Sequence, residues 1–585
     1  MRFFHAAGQI AAPAGAEVEP ESLGREISPV TPAGRPRVAL LDGVPLANHV
    51  LLRDRIVLDD PEDWEATTPA SRRVHGTGTA SLVIHGDLGA ERPPMTAPLY
   101  VRPILVADAP EWVREPREEL PRDQLPVDLV HRAVARLFEG DAPAAPDVRV
   151  IVLAVGDVTL QFDRFVSPLA RLLDWLSFRY RVLFVVPAGN QLEPLDVPVD
   201  LGLEDPQELQ HELLCAGQRS AALRRLLSPA ESVNALTVGA AHSDDSVEGP
   251  DDDRLDPIVT ADLPSVISAV GAGVRRAIKP DLLLAGGRQL VRLEPAGADG
   301  RRLVTMPPSR RPPGARLAAP GSSPGGLAAT VHATGTSVAA ALGGHHAGHL
   351  LDALAALRAV HGDGLAGEDL DVVLVKAALV HGARWGTART FVDQAQAELG
   401  RPRDRDAVAR IAGYGLANPP GVLVCDEHRV TALSAGRIAD GQAHVYRLPL
   451  PPSLNARAER RRITLTLAWL TPINPFHRAY RRAALRVEPL GFRDLLGDRA
   501  DAGMHSSRRG TVQHEVLEGR RAVPYAPGSE LELAVSCRAE AGTLDEAVPY
   551  AVIVTLEVPQ GIGLPIYEEI RQALRVPVAV RAAAP

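Results

Sequence analysis

Short apolar runs alternate with helix-period segments over the first two-thirds of the chain. Between the runs, apolar positions recur every three to four residues at 75–86, 127–140 and 163–180. This alternation predicts an α/β domain whose parallel sheet is covered by helices on both faces. The apolar runs that we expect to form its strands are 37–42, 100–106, 148–155, 181–190 and 233–241.

Two stretches interrupt this alternation. Residues 191–232 contain an extra helical piece, and residues 288–326 have the pattern of a hairpin followed by a Pro/Gly/Arg-rich loop. We expect both to be surface insertions that overhang the sheet. Helical patterns then return at 334–361 and 369–382.

The hydrophobic period changes to two after about residue 423. Alternating apolar and polar positions are typical of half-buried antiparallel strands, so we predict a jelly-roll-like β-sandwich closed by a helix at 565–576. The predicted organisation is a flexible arm, an α/β domain and a C-terminal β-domain, at 1–36, 37–422 and 423–585. The alternating runs are 444–450, 462–470, 483–490, 511–518, 530–537 and 550–558.

Composition narrows the class of protein. The formal charge of −9 over 585 residues gives no basic footprint for nucleic acid or for a membrane surface. No apolar stretch approaches the length of a membrane span, and the N-terminus is a poor signal peptide. Cys215, Cys425 and Cys537 have neither disulfide nor metal-site spacing, so we expect buried thiols in a cytoplasmic protein.

Four polar residues suit one kind of chemistry. Asp42 and Asn190 end predicted strands, where active groups gather in parallel sheets. His75 opens a helical segment, and Ser337 lies at a predicted helix N-terminus. Ser337 could be a helix cap. Together, however, these residue types supply what serine-dependent amide hydrolysis needs: a nucleophile, a base, a carboxylate that orients the base, and an oxyanion donor.

The motifs around these residues resemble those of the subtilisin-like serine peptidases, or subtilases. The resemblance covers roughly residues 37–422 and rests on "VALLDGV", "HGTGTA", "PAGN" and "GTSVAAA" in that order. It implies that Asp42, His75 and Ser337 form a catalytic triad. It also implies that Asn190 and the backbone N–H of Ser337 form the oxyanion hole, and that no metal or cofactor takes part.

The resemblance also suggests where substrate would bind. Ala154, Val155 and Gly156 stand where the family has its substrate-binding strand, and a peptide would pair with them as an added strand. Ala188 and Gly189 would help to wall the first specificity pocket. The preference of that pocket is not readable from the sequence.

Three positions depart from the family pattern. Val338 and Ala341 stand where many subtilases have Met and Pro, and both changes keep the helix apolar or small. Gly43 stands where Ser or Thr commonly follows the aspartate, so a hydroxyl is missing beside the carboxylate. We expect none of these changes to remove the chemistry.

Rival motifs are less convincing. "GSSPG" at 321–325 matches the serine elbow of α/β-hydrolases but lies in a Pro/Arg-rich loop without the strand and helix that the elbow needs. "HELLC" at 211–215 lacks the second histidine of a zinc protease, and a helix surface is expected. The histidines at 345, 346 and 349 are expected on a solvated helix face. The acidic stretch 244–257 is expected to be a solvated loop without bound Ca²⁺.

The sequence therefore predicts an intracellular serine endopeptidase. The architecture also resembles bacterial subtilases encoded beside an AAA-type ATPase in phage-defence or plasmid-incompatibility pairs, which implies an ATPase partner. The arm is too short to be the folded prodomain of secreted subtilases, so restraint would come from a narrow cleft, the C-terminal domain or a partner. The alternative is a catalytically silent subtilase-fold scaffold that binds through its β-domain.

Overall fold

The computed structural model describes most of the chain. The described residues are 5–6, 21–22, 31–107, 118–198, 205–250, 253–260, 262–298, 300–322, 325–362 and 366–574. Among these residues, no helix is both long enough and apolar enough to cross a membrane.

A seven-stranded parallel sheet forms the centre of the first domain. The five predicted apolar runs form five neighbouring strands of this sheet, in which every residue is buried from both faces. The two outermost strands are not among the predicted apolar runs. In spatial order the strands are Leu282–Ala285, Leu236–Ala241, Leu183–Pro187, Val150–Leu153, Val38–Gly43, Leu99–Leu105 and Ile56–Leu58.

Helices cover both faces of this sheet, as predicted. One of them, Val74–His85, packs against the helix Thr336–His361 and against the strand Val38–Gly43. We call these two the His75 helix and the Ser337 helix. The other helices of this domain are Trp64–Thr67, Pro126–Phe138, Pro168–Tyr180, Pro206–Arg219, Asp371–His381, Ala388–Glu398 and Arg405–Ala412.

The two predicted insertions meet each other. The strand Leu195–Pro198 from the first pairs antiparallel with Arg301–Thr305 from the second, which also pairs with Arg292–Leu293 as the predicted hairpin. The expectation of surface insertions is wrong for the end of the first one, because residues 226–232 are buried. There the strand Leu227–Ser228 pairs with Val155–Gln161.

The predicted arm makes two backbone pairings. The strand His5–Ala6 pairs antiparallel with residues of Val155–Gln161, and Glu21–Ser22 pairs with Ala329–Ala333. Ala329–Ala333 also pairs with Ala315–Ala318.

The C-terminal domain consists of two antiparallel sheets. The predicted strands all form, and an additional strand, Arg429–Ile438, precedes them. The five-stranded sheet has the order Arg429–Ile438, Val548–Glu557, Arg461–Trp469, Val512–Gly519 and Asp498–Arg499. The three-stranded sheet has the order Ala443–Pro449, Glu530–Ala539 and Ala483–Pro489. Short helices at Arg493–Leu496 and Met504–Ser507 and the closing helix Ile566–Leu574 complete the domain.

One helix joins the two domains. Every residue of Asp371–His381 is buried, and the helix packs against the Ser337 helix and against the strands Arg461–Trp469 and Val548–Glu557. One continuous apolar cluster therefore extends from the parallel sheet into the C-terminal sheets. We call Asp371–His381 the interface helix.

Candidate active site

Asp42 lies at the carboxyl end of the central strand Val38–Gly43. The strand is completely buried because it is covered on both faces, and Asp42 itself has no exposed surface. Its Oδ1 accepts a hydrogen bond of 2.6 Å from the backbone N–H of Gly43. A buried carboxylate needs such partners to stay ionised.

His75 is the second residue of the His75 helix, and its ring meets Asp42. Nδ1 lies 2.5 Å from Asp42 Oδ1. An ionised carboxylate can only accept, so Nδ1 carries the proton and Nε2 is left with a lone pair. Nε2 is buried and has no hydrogen-bond partner among the described residues. This is the tautomer that a general base requires.

The surroundings of His75 favour its charged form. Burial by itself would lower the pKa of His75, but the Asp42 carboxylate raises it through charge and hydrogen bonding, and Glu118 adds to this. On balance the pKa of His75 lies above 6.5. The site therefore stabilises an imidazolium that would form when His75 takes a proton.

Ser337 is the second residue of the Ser337 helix and is almost fully buried. The residue before the helix, Gly335, has φ of +147° and no side chain to cap the first turn. The unpaired N–H groups and the dipole of this helix end favour negative charge beside Ser337. The cap position thus belongs to Gly335, and the Ser337 hydroxyl is not used as the cap.

Asn190 is held against the start of the Ser337 helix. Its Oδ1 accepts hydrogen bonds of 2.9 Å from both the backbone N–H and the hydroxyl of Thr336. A Cβ on Gly335 would lie 2.9 Å from Asn190 Nδ2 and 3.5 Å from Ser337 Oγ. The amide donor and the hydroxyl therefore border one small space, which a side chain at position 335 would fill.

The residues that the resemblance assigns to substrate lie beside this space. Ala188 and Gly189 follow the strand Leu183–Pro187, and Gly189 donates its N–H to Thr336 Oγ1 at 3.2 Å. Gly189 has φ of +111°, and a Cβ there would lie 2.5 Å from the side chain of Leu227. Leu227, which belongs to the first insertion, therefore packs against Gly189 and leaves no room for a side chain at that position.

Ala154 links two strands, and Val155 and Gly156 begin the second of them. In this structure Ala6 pairs with Val155, and His5 pairs with Gly156. The backbone positions expected to hold a peptide as an added strand are thus paired with the chain's own arm. A peptide that binds there has to replace this pairing.

Sequence reasoning missed one residue of the site, Glu118. Its Oε2 accepts the backbone N–H of His75 at 2.5 Å, and the side chain is 7% exposed. Glu118 lies in a Glu- and Pro-rich stretch without periodicity, so no pattern marked it. The only signal in the sequence was the glycine at position 43, because its missing side chain leaves room beside Asp42 for a group from another segment.

The structure differs from several expectations about the rival motifs. The expectation of a solvated histidine face is wrong for His345, which is buried; burial lowers its pKa to about 3 and that of its neighbour His346 to about 4. "HELLC" is helical as expected, with Cys215 buried. Cys537 is also buried, whereas Cys425 is only half-buried. The serine of "GSSPG", Ser323, lies outside the described residues.

The acidic stretch is also less solvated than expected. The Asp244 side chain has no exposed surface, and Arg288 pairs with both Asp244 and Asp256. Within the part of the chain that the structure describes, no group of three or more His, Cys, Asp or Glu side chains could hold a metal ion.

Comparison with known proteins identifies the family. Residues 35–415 match the model of the subtilase family, Peptidase S8, and the chain belongs to that family of serine proteases. An uncharacterized protein of Sinorhizobium fredii, y4bN, is 25% identical over 456 residues, which are 73% of this chain and 96% of that protein.

Solved structures of maturation proteases are also similar. The prenylagaramide maturation protease PagA is 16% identical, with a TM-score of 0.35 over 66% of this chain and 91% of that chain. The patellamide maturation protease PatA is 17% identical, with a TM-score of 0.34 over 66% of this chain and 95% of that chain. The assignment to the family rests on the match to the family model.

Proposed function

We propose that this chain is a serine endopeptidase in which Asp42, His75 and Ser337 form the catalytic triad. The observation that carries the proposal is the buried contact of 2.5 Å between Asp42 Oδ1 and His75 Nδ1. This contact gives the histidine the protonation pattern of a base, at the same end of the sheet as the Ser337 helix.

In the proposed mechanism, His75 Nε2 takes the proton of Ser337 Oγ as that oxygen attacks the peptide carbonyl. Asp42 stabilises the imidazolium. The tetrahedral oxyanion receives hydrogen bonds from Asn190 Nδ2 and from the N-terminus of the Ser337 helix. His75 then gives its proton to the departing amine, and water, deprotonated by His75, hydrolyses the acyl-enzyme.

A fluorophosphonate probe, which reacts with activated serines, tests the proposal. We expect the wild type to be labelled and Ser337→Ala to remain unlabelled. Ser323→Ala, which alters the serine of the rival "GSSPG" motif, is the matched control and should label like the wild type. Absence of labelling in the wild type, at every pH between 6 and 9 and after addition of peptide substrates, would instead favour the silent scaffold.

The ATPase partner remains part of the proposal. The C-terminal domain and the arm are the parts of the chain outside the family match, and we propose that a partner AAA-type ATPase controls the peptidase in an antiviral defence pair. Co-purification with the ATPase encoded beside it would support this. Separate elution of the two proteins at micromolar concentration, with and without ATP, would contradict it.

A further inference from the structure

A second carboxylate lies beside the Asp42–His75 pair, and the triad mechanism does not use it. Glu118 comes from the segment that follows the strand Leu99–Leu105, and its backbone is fixed there because Glu119 bridges to Val106. Its side chain reaches the first turn of the His75 helix. Oε2 accepts the N–H of His75 at 2.5 Å, and the nearby N–H of Gly76 also lowers the pKa of this carboxyl.

This contact supplies what the helix itself lacks. Residue Arg73 stands at the cap position of the His75 helix and makes no side-chain capping bond. The first N–H groups of a helix have no partner within it, and a carboxylate is a favourable partner for them because of the helix dipole. Glu118 therefore caps, from 43 residues away, the helix that carries His75.

The glycine that follows Asp42 is explained by the same carboxylate. A Cβ on Gly43 would lie 1.9 Å from Glu118 Oε1 and 2.8 Å from its Cδ. Any side chain at position 43 would therefore have to displace Glu118. The departure from Ser or Thr at this position makes room for a carboxylate that arrives from another segment.

The charge of Glu118 acts on His75. Burial, and to a smaller extent the nearby Asp42, raise the pKa of Glu118 to about 7, although His75 and the two backbone N–H groups oppose this. Among the described residues, Asp42 on the strand and His75 on the helix are the ionisable groups with the largest effect on it. On its own segment, Glu119 lies 4.0 Å from Arg122 in an ion pair.

We propose that Glu118 is a positioning residue of the peptidase. It fixes the His75 helix by capping its first turn, and its carboxylate is a second negative charge, besides that of Asp42, that stabilises the imidazolium of His75. Gly43 and Glu118 form a matched pair: the glycine exists because the carboxylate occupies its side-chain space. The inference rests on the proposed function for its consequence in catalysis, but not for its geometry.

Two variants distinguish the two roles of Glu118, which are to cap the His75 helix and to carry a negative charge near His75. Glu118→Gln keeps an oxygen that can accept the helix N–H groups but removes the charge. With that charge gone, the imidazolium is less favoured, so we expect the acid limb of the probe-labelling rate to move to lower pH by about one unit. Glu118→Ala removes the cap as well, and we expect labelling at pH 8 to fall by about tenfold or more. Glu119→Gln, one residue away, alters a carboxylate that pairs with Arg122; it is the control and should leave both readouts unchanged.

A double-mutant cycle tests the matched pair. Gly43→Ala should slow labelling strongly in the wild type, because it drives Glu118 from its place. In the Glu118→Ala background the same change should have a much smaller effect. Gly43→Ser combined with Glu118→Ala restores a hydroxyl beside Asp42, and we expect it to label faster than Glu118→Ala alone. Equal effects of Gly43→Ala in both backgrounds would overturn the pairing.

A measurement that needs no activity keeps the inference separate from the proposed function. In Ser337→Ala, the His75 resonance, assigned by its loss in His75→Gln, gives the pKa of His75 by NMR titration. This pKa should fall by about one unit when Glu118→Gln is added. If the wild type does not label but this shift occurs, the proposed function alone fails. If the wild type labels but neither the acid limb nor this pKa moves, the role of the Glu118 charge is wrong. Glu118→Gln carries this test even if Glu118→Ala does not fold.

Discussion

The candidate active site and the contact between the domains both bury histidines, and the pKa values of these histidines shift in opposite directions. In the candidate active site, the carboxylates of Asp42 and Glu118 hold the pKa of His75 above 6.5. Between the domains, burial lowers the pKa of His381 far below that value and that of His514 to about 3, with no carboxylate to oppose it. We call the buried ionisable side chains of the second region, Lys376, His381 and His514, the interface cluster.

The interface cluster uses its polar groups to join the domains. Lys376 on the interface helix donates to the backbone oxygens of Asn234 and Trp469 and to Thr511 Oγ1. The ring of His381 lies 2.7 Å from the hydroxyl oxygens of both Thr466 and Thr555.

The hydrogen-bond partners of Lys376 and His381 are neutral. Burial lowers the pKa of Lys376 to about 7, although the Asp281 carboxylate opposes this. The contrast is that burial keeps His381 and His514 neutral, whereas the carboxylates at the candidate active site favour a charged His75.

The largest effect should follow from removing the Asp42 charge. In Asp42→Asn, the amide can donate to Nδ1 and so stabilise the wrong tautomer of His75, and we expect probe labelling to fall by about 10⁴-fold. Asp174→Asn is the matched control, because Asp174 is equally buried but accepts hydrogen bonds from Ser232 and Tyr480 instead of a histidine. It should lower the melting temperature and leave labelling of the folded protein unchanged. Equal loss of labelling in Asp42→Asn and Asp174→Asn would contradict the view that Asp42, unlike Asp174, acts on the base of the proposed triad.

Next in size is the loss of the proposed oxyanion donor. Asn190→Asp keeps an oxygen for the two bonds from Thr336 but has no amide donor. Removal of one such donor typically costs about 10²–10³ in kcat, and we expect a loss of this size in peptide hydrolysis. Unchanged melting would show that the packing at Thr336 survives. Activity within a few-fold of the wild type would exclude Asn190 as a donor.

A smaller effect is expected from the interface cluster. His381→Ala leaves a cavity and removes two buried hydrogen bonds, and we expect the free energy of unfolding to fall by about 2–4 kcal/mol. Labelling of the folded protein should not change. The exposed His505 offers a control, since His505→Ala should alter stability by no more than about 0.5 kcal/mol.

The same variant has a predictable pH dependence. The unfolded chain binds a proton at His381 below about pH 6.5, whereas the folded chain resists it. Wild-type stability should therefore decline as the pH falls below 6.5, and less steeply in His381→Ala. Parallel curves for the two proteins would show that His381 is not held neutral.

The last effect concerns the pH dependence that Lys376 gives to the free energy of unfolding. The folded protein releases this proton near pH 7, but the unfolded chain keeps it to about 10.5. Between these values, stability should rise with pH by about 1.4 kcal/mol per unit because of this one residue. Lys376→Met should lack that part of the slope, which denaturant titrations at pH 7.5, 8.5 and 9.5 can measure. An unchanged slope would mean that Lys376 stays charged between the domains.

The fold was readable from the sequence where hydrophobic periodicity was strong. The five apolar runs and the period-two strands appear in the structure as predicted, because burial from both faces or from one face leaves a distinct pattern. The hydrophobic pattern did not predict the short strand Ile56–Leu58 or the helices Ala388–Glu398 and Arg405–Ala412. The sequence predicts a solvated face for His345, whereas the structure buries it, with Nδ1 3.1 Å from the carbonyl oxygen of Val83 on the His75 helix.

The sequence by itself determined the family, the order of the motifs and the ends of the strands that carry Asp42 and Asn190, since these depend on local pattern. Only the tertiary structure decided that Asn190 is oriented by Thr336, that the insertions pair with each other, and that Lys376 and His381 join two domains. It also brought Glu118 into the space left by Gly43. These contacts join residues far apart in the chain, and their energies depend on burial and distance, which no local pattern of residues encodes.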